Sequence, residues 1–138
     1  MTGLLDALPG DSACPCGGGN YASCCAAYLR RESWPATAEA LMRSRYTAFA
    51  LGDSEYLLRT WHPRTRPESL QLDDRHWEGL TITDVVDGSE DDQMGIVGFT
   101  AHWNSRREYG TMTERSAFVR RGGRWFYLAA TPDSDSAG

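Results

Sequence analysis

All four cysteines of this 138-residue chain lie in one short stretch near the N-terminus. They form two close pairs separated by a glycine-rich turn, with the metal-ligating candidates being Cys14, Cys16, Cys24 and Cys25. Two pairs of thiolates that converge across a turn are typical of a tetrahedral site for a soft metal ion. A closed site with four protein ligands has no open coordination position, so the pattern predicts a structural metal rather than a catalytic one.

The clustered spacing favours a metal site over a redox-active dithiol or structural disulfide bonds. A disulfide framework would distribute cysteines through a small secreted domain, whereas the rest of this chain has none. Residues 1–12 contain two aspartates and lack the basic start of a secretory signal, so we expect a cytoplasmic protein with reduced thiols. Zn²⁺ is the predicted ion, and iron is its competitor because thiolates accept both.

Several segments of the chain resemble a known bacterial family. The run Cys14-Pro15-Cys16-Gly17 followed by Cys24-Cys25 resembles the zinc-binding SEC-C motif, although the loop between the pairs is one residue shorter and lacks the usual lysines. Later segments resemble the YchJ-type family of uncharacterised proteins, namely LMRSRYTAF (41–49), YLLRTWHP (56–63), ERSAFVR (114–120) and GRWFY (123–127). The resemblance implies a SEC-C hook followed by a nuclear-transport-factor-2-like (NTF2-like) α+β cone, with no established activity.

The chain that follows the cysteines has helical periodicity. Thr37 is a predicted N-cap and Gly52 a predicted C-terminal stop for a first helix. One face of this helix is apolar except for the cation Arg45, and it consists of Ala38, Leu41, Met42, Arg45, Tyr46 and Phe49. Asp53 or its neighbour Ser54 caps a second helix, which includes Trp61 in its apolar stripe and ends before a proline. Residues 67–75 are predicted to add a helical turn.

The second half has the alternation typical of strands, and turns separate the segments. The predicted strands are residues 80–86, 94–103, 109–120 and 125–130. Gly98 is predicted to form a bulge where the alternation changes phase. Helices followed by a run of antiparallel strands predict an α+β cone in which a curved sheet wraps the helices. We therefore divide the chain into a SEC-C zinc hook with its linker (1–34), an NTF2-like cone (35–131) and a disordered tail (132–138).

Composition limits the partners. The net charge is −5 and the sequence pI is about 5.1, which argues against nucleic-acid binding through a basic surface. No apolar run is long enough to span a membrane. We expect an unknown protein partner or a small ligand, and a monomer or weak homodimer.

A second site would require acid and base groups that converge in the cone. The candidates are Arg45, Tyr46, His62, His102 and Glu114. Three of them have a structural alternative: His62 can cap a helix end, His102 can face outward from a strand, and Glu114 can pair with Arg43 or Arg45 because buried charges are usually paired. Glu114 is the preferred partner of Arg45.

The leading interpretation is a zinc-binding protein whose cone is an interaction or small-ligand-binding module. One alternative is a small-molecule enzyme of isomerase, dehydratase or hydrolase-like type that uses the cone pocket. A third interpretation is a redox or metal sensor built on the cysteine cluster.

Overall fold

The computed structural model describes residues 12–73 and 75–132, so the predictions for residues 1–11 and for nearly all of the tail fall outside it. We call residues 12–34 the hook and residues 35–131 the cone. The hook contains a 3-10 turn (Tyr21–Ser23) and helix α1 (Ala26–Leu29). The cone contains α2 (Ala38–Leu51), α3 (Ser54–Arg59), β1 (His76–Asp87), β2 (Met94–Asn104), β3 (Tyr109–Arg121) and β4 (Arg124–Ala130). This order confirms the predicted α+β class.

Both cone helices begin where the sequence indicates, and the first of them, α2, also ends there. The Thr37 hydroxyl accepts a hydrogen bond from the Ala40 amide at 3.0 Å, which caps α2. Gly52 ends that helix in the left-handed conformation, with φ of 78°. Asp53 then accepts from the Tyr56 amide at 3.0 Å and caps α3.

Helix α3 ends at Arg59, so the prediction that Trp61 continues it is wrong. The chain instead pairs with β4: the Tyr127 amide donates to the Thr60 carbonyl at 2.9 Å, and the His62 amide donates to the Tyr127 carbonyl at 2.8 Å. The pairing provides partners for backbone groups that a continuing helix would have satisfied internally.

The helical turn predicted over residues 67–75 is also wrong for the part of this segment that the structure describes. Leu70 and Leu72 pack against the core, and their spacing of two residues suits extended chain rather than a helix. We call residues 67–75 the irregular segment, since its described residues form neither helix nor strand.

The four strands form one antiparallel sheet in the order β1-β2-β3-β4. The bulge predicted at Gly98 is wrong, because both register shifts of the β1–β2 pair place the extra residue on β1, one of them between Ile82 and Asp84, while the β2–β3 ladder is uninterrupted. A Cβ atom at Gly98 would lie 3.0 Å from the Thr83 hydroxyl and 3.3 Å from Arg115 Cγ. Glycine suits this position because the neighbouring strands crowd it, one of them through its own bulge.

The buried residues form one cluster that extends from the hook through α2 to the sheet. Tyr21 and Leu29 represent the hook, Leu41 the helix, and Phe118 and Trp125 the sheet, and all five are fully buried. Burial of this apolar surface is the main stabilising contribution that joins hook and cone. Within residues 12–73 and 75–132, no helix has the length and hydrophobicity that a bilayer-spanning segment requires.

Candidate metal centre and cone cavity

The hook brings the four predicted ligands together, with the Sγ atoms of Cys14, Cys16, Cys24 and Cys25 all within 4.8 Å of one another. The Sγ–Sγ distances are 3.4 Å for Cys16–Cys24, 3.7 Å for Cys16–Cys25 and 3.9 Å for Cys24–Cys25. A tetrahedral zinc ion with Zn–S distances of about 2.3 Å requires S···S separations of about 3.8 Å. The cysteines therefore fit a tetrahedral thiolate site.

The glycines of the turn make this convergence feasible. Gly17 and Gly19 have φ of 84° and 123°, which favours glycine. The Cys14 amide donates to the Gly19 carbonyl at 2.7 Å and closes the loop. Gly18 is required for a different reason, because a Cβ there would lie 2.9 Å from Cys24 Sγ and 3.3 Å from Cys16 Sγ.

The cysteine cluster rests against helix α2. Thr47 Oγ1 donates to Cys25 Sγ at 3.3 Å and lies 3.7 Å from Cys14 Sγ. Arg43 Nη1 donates to the Cys16 carbonyl at 2.9 Å. Sequence reasoning missed both α2 residues; the available signal was their spacing of four, which places them on one face of the predicted helix.

Close packing couples the protonation of the thiols. Hydrogen bonds from Cys16 and Cys25 lower the pKa of Cys14 far below its usual range. Hydrogen bonding with Cys14, and then with Cys16, raises the pKa of Cys25 far above it. Burial, followed by hydrogen bonding with Cys16, raises the pKa of Cys24 to about 12. The sulfurs therefore share negative charge unequally, and four simultaneous thiolates require a compensating cation.

The cone contains a cavity of about 200 Å³ between α2, the irregular segment and the concave face of the sheet. Its walls are mainly aromatic and thioether side chains, namely Met42, Tyr46, Phe49, Trp77, Phe99 and Met112. The Trp77 ring packs with the rings of Tyr46 and Phe49, at centroid distances of 6.2 Å each. We call this space the cone cavity.

The five candidate acid/base residues do not converge there. Tyr46 is the one that lines the cone cavity, and burial raises its pKa to about 12. His62 lies beyond the end of α3, where its Nδ1 accepts from the Arg64 amide at 3.0 Å, so it stabilises a local turn and does not cap the helix. His102 is exposed on β2. Arg45 and Glu114 are not among the residues that line the cavity.

Arg45 is 3% exposed and obtains its partners without a carboxylate. Its Nη1 donates to the Leu57 carbonyl at 2.8 Å and to the Thr60 hydroxyl at 2.7 Å. Its guanidinium carbon lies 4.5 Å from the Tyr127 ring centroid and 5.2 Å from that of Trp61, which are cation–π distances. Burial lowers the pKa of Arg45 to about 10.

The predicted ion pair between Arg45 and Glu114 is wrong, because no carboxylate of the described residues lies within 4.0 Å of the Arg45 guanidinium. Glu114 Oε2 instead accepts from the Ser116 hydroxyl at 2.6 Å and from the Tyr127 hydroxyl at 3.4 Å. The carbonyl and hydroxyl at the end of α3 reach the cation directly, whereas Glu114 acts on it only over a longer distance.

Comparison with known proteins agrees with the architecture. The family model described as "YchJ, middle NTF2-like domain" matches residues 37–130. The chain belongs to the YchJ family. A UPF0225 protein from Chromobacterium violaceum is 50% identical over 123 residues, which cover 86% of this chain and 91% of the relative. One from Streptomyces coelicolor is 49% identical over 116 residues, which cover 83% and 90%.

Solved structures extend the family likeness to the hook. The solution structure of a SEC-C motif containing protein from Rhodopseudomonas palustris matches with a TM-score of 0.76 and 32% identity, covering 87% of this chain and 98% of that one. The crystal structure of another such protein, from Psychrobacter arcticus, has the same fold, with a TM-score of 0.73 and 24% identity over 91% and 84% of the chains. The YchJ and SEC-C resemblances drawn from the sequence are therefore confirmed.

Proposed function

We propose that this YchJ-family chain is a cytoplasmic zinc-binding protein whose cone binds a small, flat, apolar ligand. The observation that carries the proposal is the cone cavity, which has an aromatic and thioether lining. Thioethers and aromatic rings are polarisable and adapt to flat apolar surfaces. A cavity of about 150 Å³ in another protein accommodates benzene, so the volume here suits one or two fused rings.

The charged groups that line the cavity belong to the irregular segment. Asp73 and Arg75 line it and pair with each other, with Arg75 Nε 3.3 Å from Asp73 Oδ2. Since these charges compensate each other, they favour an uncharged ligand over a strongly ionic one. Binding is supported over catalysis because Tyr46 is the only one of the five acid/base candidates among the described lining residues.

Zinc has a structural role in this proposal. The four cysteines provide a closed tetrahedral donor set, so bound Zn²⁺ would hold the hook against α2. Iron remains the competitor for the same thiolates. Reduced, closely spaced thiols fit the cytoplasm, where thiols persist. The redox-sensor interpretation remains a prediction.

A titration with indole and with naphthalene tests the proposal, monitored by calorimetry and by the shift in melting temperature. We expect saturable binding of one molecule per chain. Ala101 lies in the cavity wall, so Ala101→Leu fills the space and should abolish binding. The matched control is His102→Gln, an exposed neighbour on the same strand, which should bind as the parent does. Absence of saturable binding, or equal binding by a folded Ala101→Leu variant, would overturn the proposal.

A further inference from the structure

Thr47 is completely buried, yet it has a hydroxyl group that must find a partner. That hydroxyl donates to Cys25 Sγ at 3.3 Å and lies 3.7 Å from Cys14 Sγ. The residue belongs to α2, the first cone helix, and is far in sequence from both cysteines. The cone thus places a hydrogen-bond donor directly against two of the four predicted metal ligands.

Arg43 lies one helical turn before Thr47 and contacts the same cluster. Its Nη1 donates to the Cys16 carbonyl at 2.9 Å, and its Nε donates to Glu39 at 3.0 Å. The carboxylate holds the guanidinium in position, and the guanidinium fixes the backbone of a ligand residue. A cation at this position also opposes the excess negative charge of four thiolates around a divalent ion.

We propose that Thr47 and Arg43 are positioning residues for the metal, through which the cone sets the metal affinity of the hook. The Thr47 hydroxyl stabilises the Cys25 thiolate in its ligating orientation, and Arg43 holds the loop that carries Cys16. Partners of this kind orient metal ligands, and their loss typically lowers metal affinity by about 10-fold to 100-fold. The inference concerns the metal site alone and does not depend on a ligand in the cone cavity.

The alternative is that Thr47 merely fills space in the core. Thr47→Val separates the two roles because it keeps the shape of the side chain and removes the donor. Thr47→Ser keeps the donor and removes a methyl group. Thr100→Val is a matched control, since the Thr100 hydroxyl pairs with that of Thr113 at 3.0 Å on the sheet, away from the cysteines.

The experiment measures Zn²⁺ affinity of the full chain by competition with a chromophoric chelator. Thr47→Val should bind zinc about 10-fold to 100-fold more weakly. Thr47→Ser should remain within a few-fold of the parent, and Thr100→Val should match it. The Co²⁺-loaded Thr47→Val variant should also show shifted thiolate-to-cobalt absorption bands, which a packing defect elsewhere would not produce.

Equal affinity in Thr47→Val and the parent would overturn the Thr47 assignment, as would equal losses in the Val and Ser variants. Arg43→Gln provides a separate arm that does not disturb the buried threonine. It should weaken zinc binding several-fold while the apo protein melts at nearly the parent temperature. Unchanged affinity in this variant would overturn the Arg43 assignment, even if Thr47→Val does not fold.

Discussion

The hook obtains its order from few residues, whereas the cone obtains its order from many. The described hook contains a three-residue 3-10 turn and the four-residue α1, both too short to be stable alone. The cone has a 14-residue helix and a four-stranded sheet whose apolar faces pack together. A few cysteines and glycines therefore specify one region, while periodic burial specifies the other.

The two regions meet on a single helix. Arg43 and Thr47 of α2 contact the cysteine cluster, while Met42 and Tyr46, one position earlier in each case, line the cone cavity. Adjacent positions on a helix point about 100° apart, so one rigid element serves both sites. Changes confined to either region measure how far their stabilities are separate.

The largest effect should follow loss of the metal ligands. Replacing Cys24 and Cys25 together by Ser removes two of four thiolates, and binding a structural zinc ion is worth on the order of 10 kcal/mol in small sites. We expect the amides that hold the hook loop, such as those of Cys14, Gly17 and Tyr21, to lose protection from hydrogen exchange. The sheet amides should remain protected, because most of the buried cluster belongs to the cone.

Ser23→Ala is the control for this pair, since Ser23 is exposed in the same turn. It should leave zinc content and exchange unchanged. Loss of protection throughout β2 and β3 in the double variant would contradict the prediction. Hook and cone would then form one cooperative unit, held together by the cluster in which Tyr21 and Leu29 are buried.

A smaller effect is expected inside the cone, at the buried cation Arg45. Thr60→Val removes the hydroxyl that accepts from Arg45 Nη1 at 2.7 Å, and hydrogen bonds to charged groups contribute about 1.5–3 kcal/mol. Glu114→Gln should cost under about 1 kcal/mol, because Glu114 makes no ion pair with Arg45 and an amide oxygen can still accept from Ser116. Chemical denaturation of both variants measures the difference in free energy of unfolding.

This order reverses what the sequence predicts, which makes the pair of variants decisive. A loss of about 3 kcal/mol in Glu114→Gln, with little loss in Thr60→Val, would show that the distant carboxylate is the main compensation for the cation. Zinc content should be unchanged in both variants, since neither side chain contacts the cysteine cluster. A change in zinc content would show that the cone acts on the hook through more than Arg43 and Thr47.

Local rules predicted much of the architecture because the relevant contacts are close in sequence. The four cysteines lie within one loop, and the caps Thr37, Gly52 and Asp53 act within their own helices. What was missed depends on contacts that only the folded chain creates. Examples are the side chain of Thr47 on the cysteines and the crowding of Gly98 by a bulge on the neighbouring strand.

The Arg45 prediction shows the same limit. Burial of a cation on the apolar face of α2 could be anticipated from helical periodicity, and so could its need for a partner. The partner itself could not, because the Leu57 carbonyl becomes available only where α3 ends and the chain turns to pair with β4. The sequence indicated Glu114 instead, because the alternation along its predicted strand suggested that its carboxylate faces inward.

The smallest expected effect distinguishes two kinds of glycine in the hook. Gly18→Ala keeps an ordinary backbone conformation but would place Cβ 2.9 Å from Cys24 Sγ, an atom that a bound metal prevents from moving. Gly17→Ala meets no atom within 4 Å but must hold φ near 84°, which costs about 1–2 kcal/mol. We therefore expect Gly18→Ala to displace Cys24 Sγ and to destabilise mainly the zinc-loaded form, which weakens zinc binding. Gly17→Ala should strain the loop, and so destabilise the protein, with or without metal.

Gly122→Ala in the β3–β4 turn is the cone counterpart, with φ of 60° and open space around the added methyl group. It should lower the free energy of unfolding by about 1–2 kcal/mol and leave zinc affinity unchanged. Chelator competition and melting of the apo and zinc-loaded forms measure both quantities for all three variants. If Gly18→Ala binds zinc as the parent does, the cysteine sulfurs have room to move around the added methyl group. The prediction that the positions of these sulfurs require glycine at this site would then be wrong.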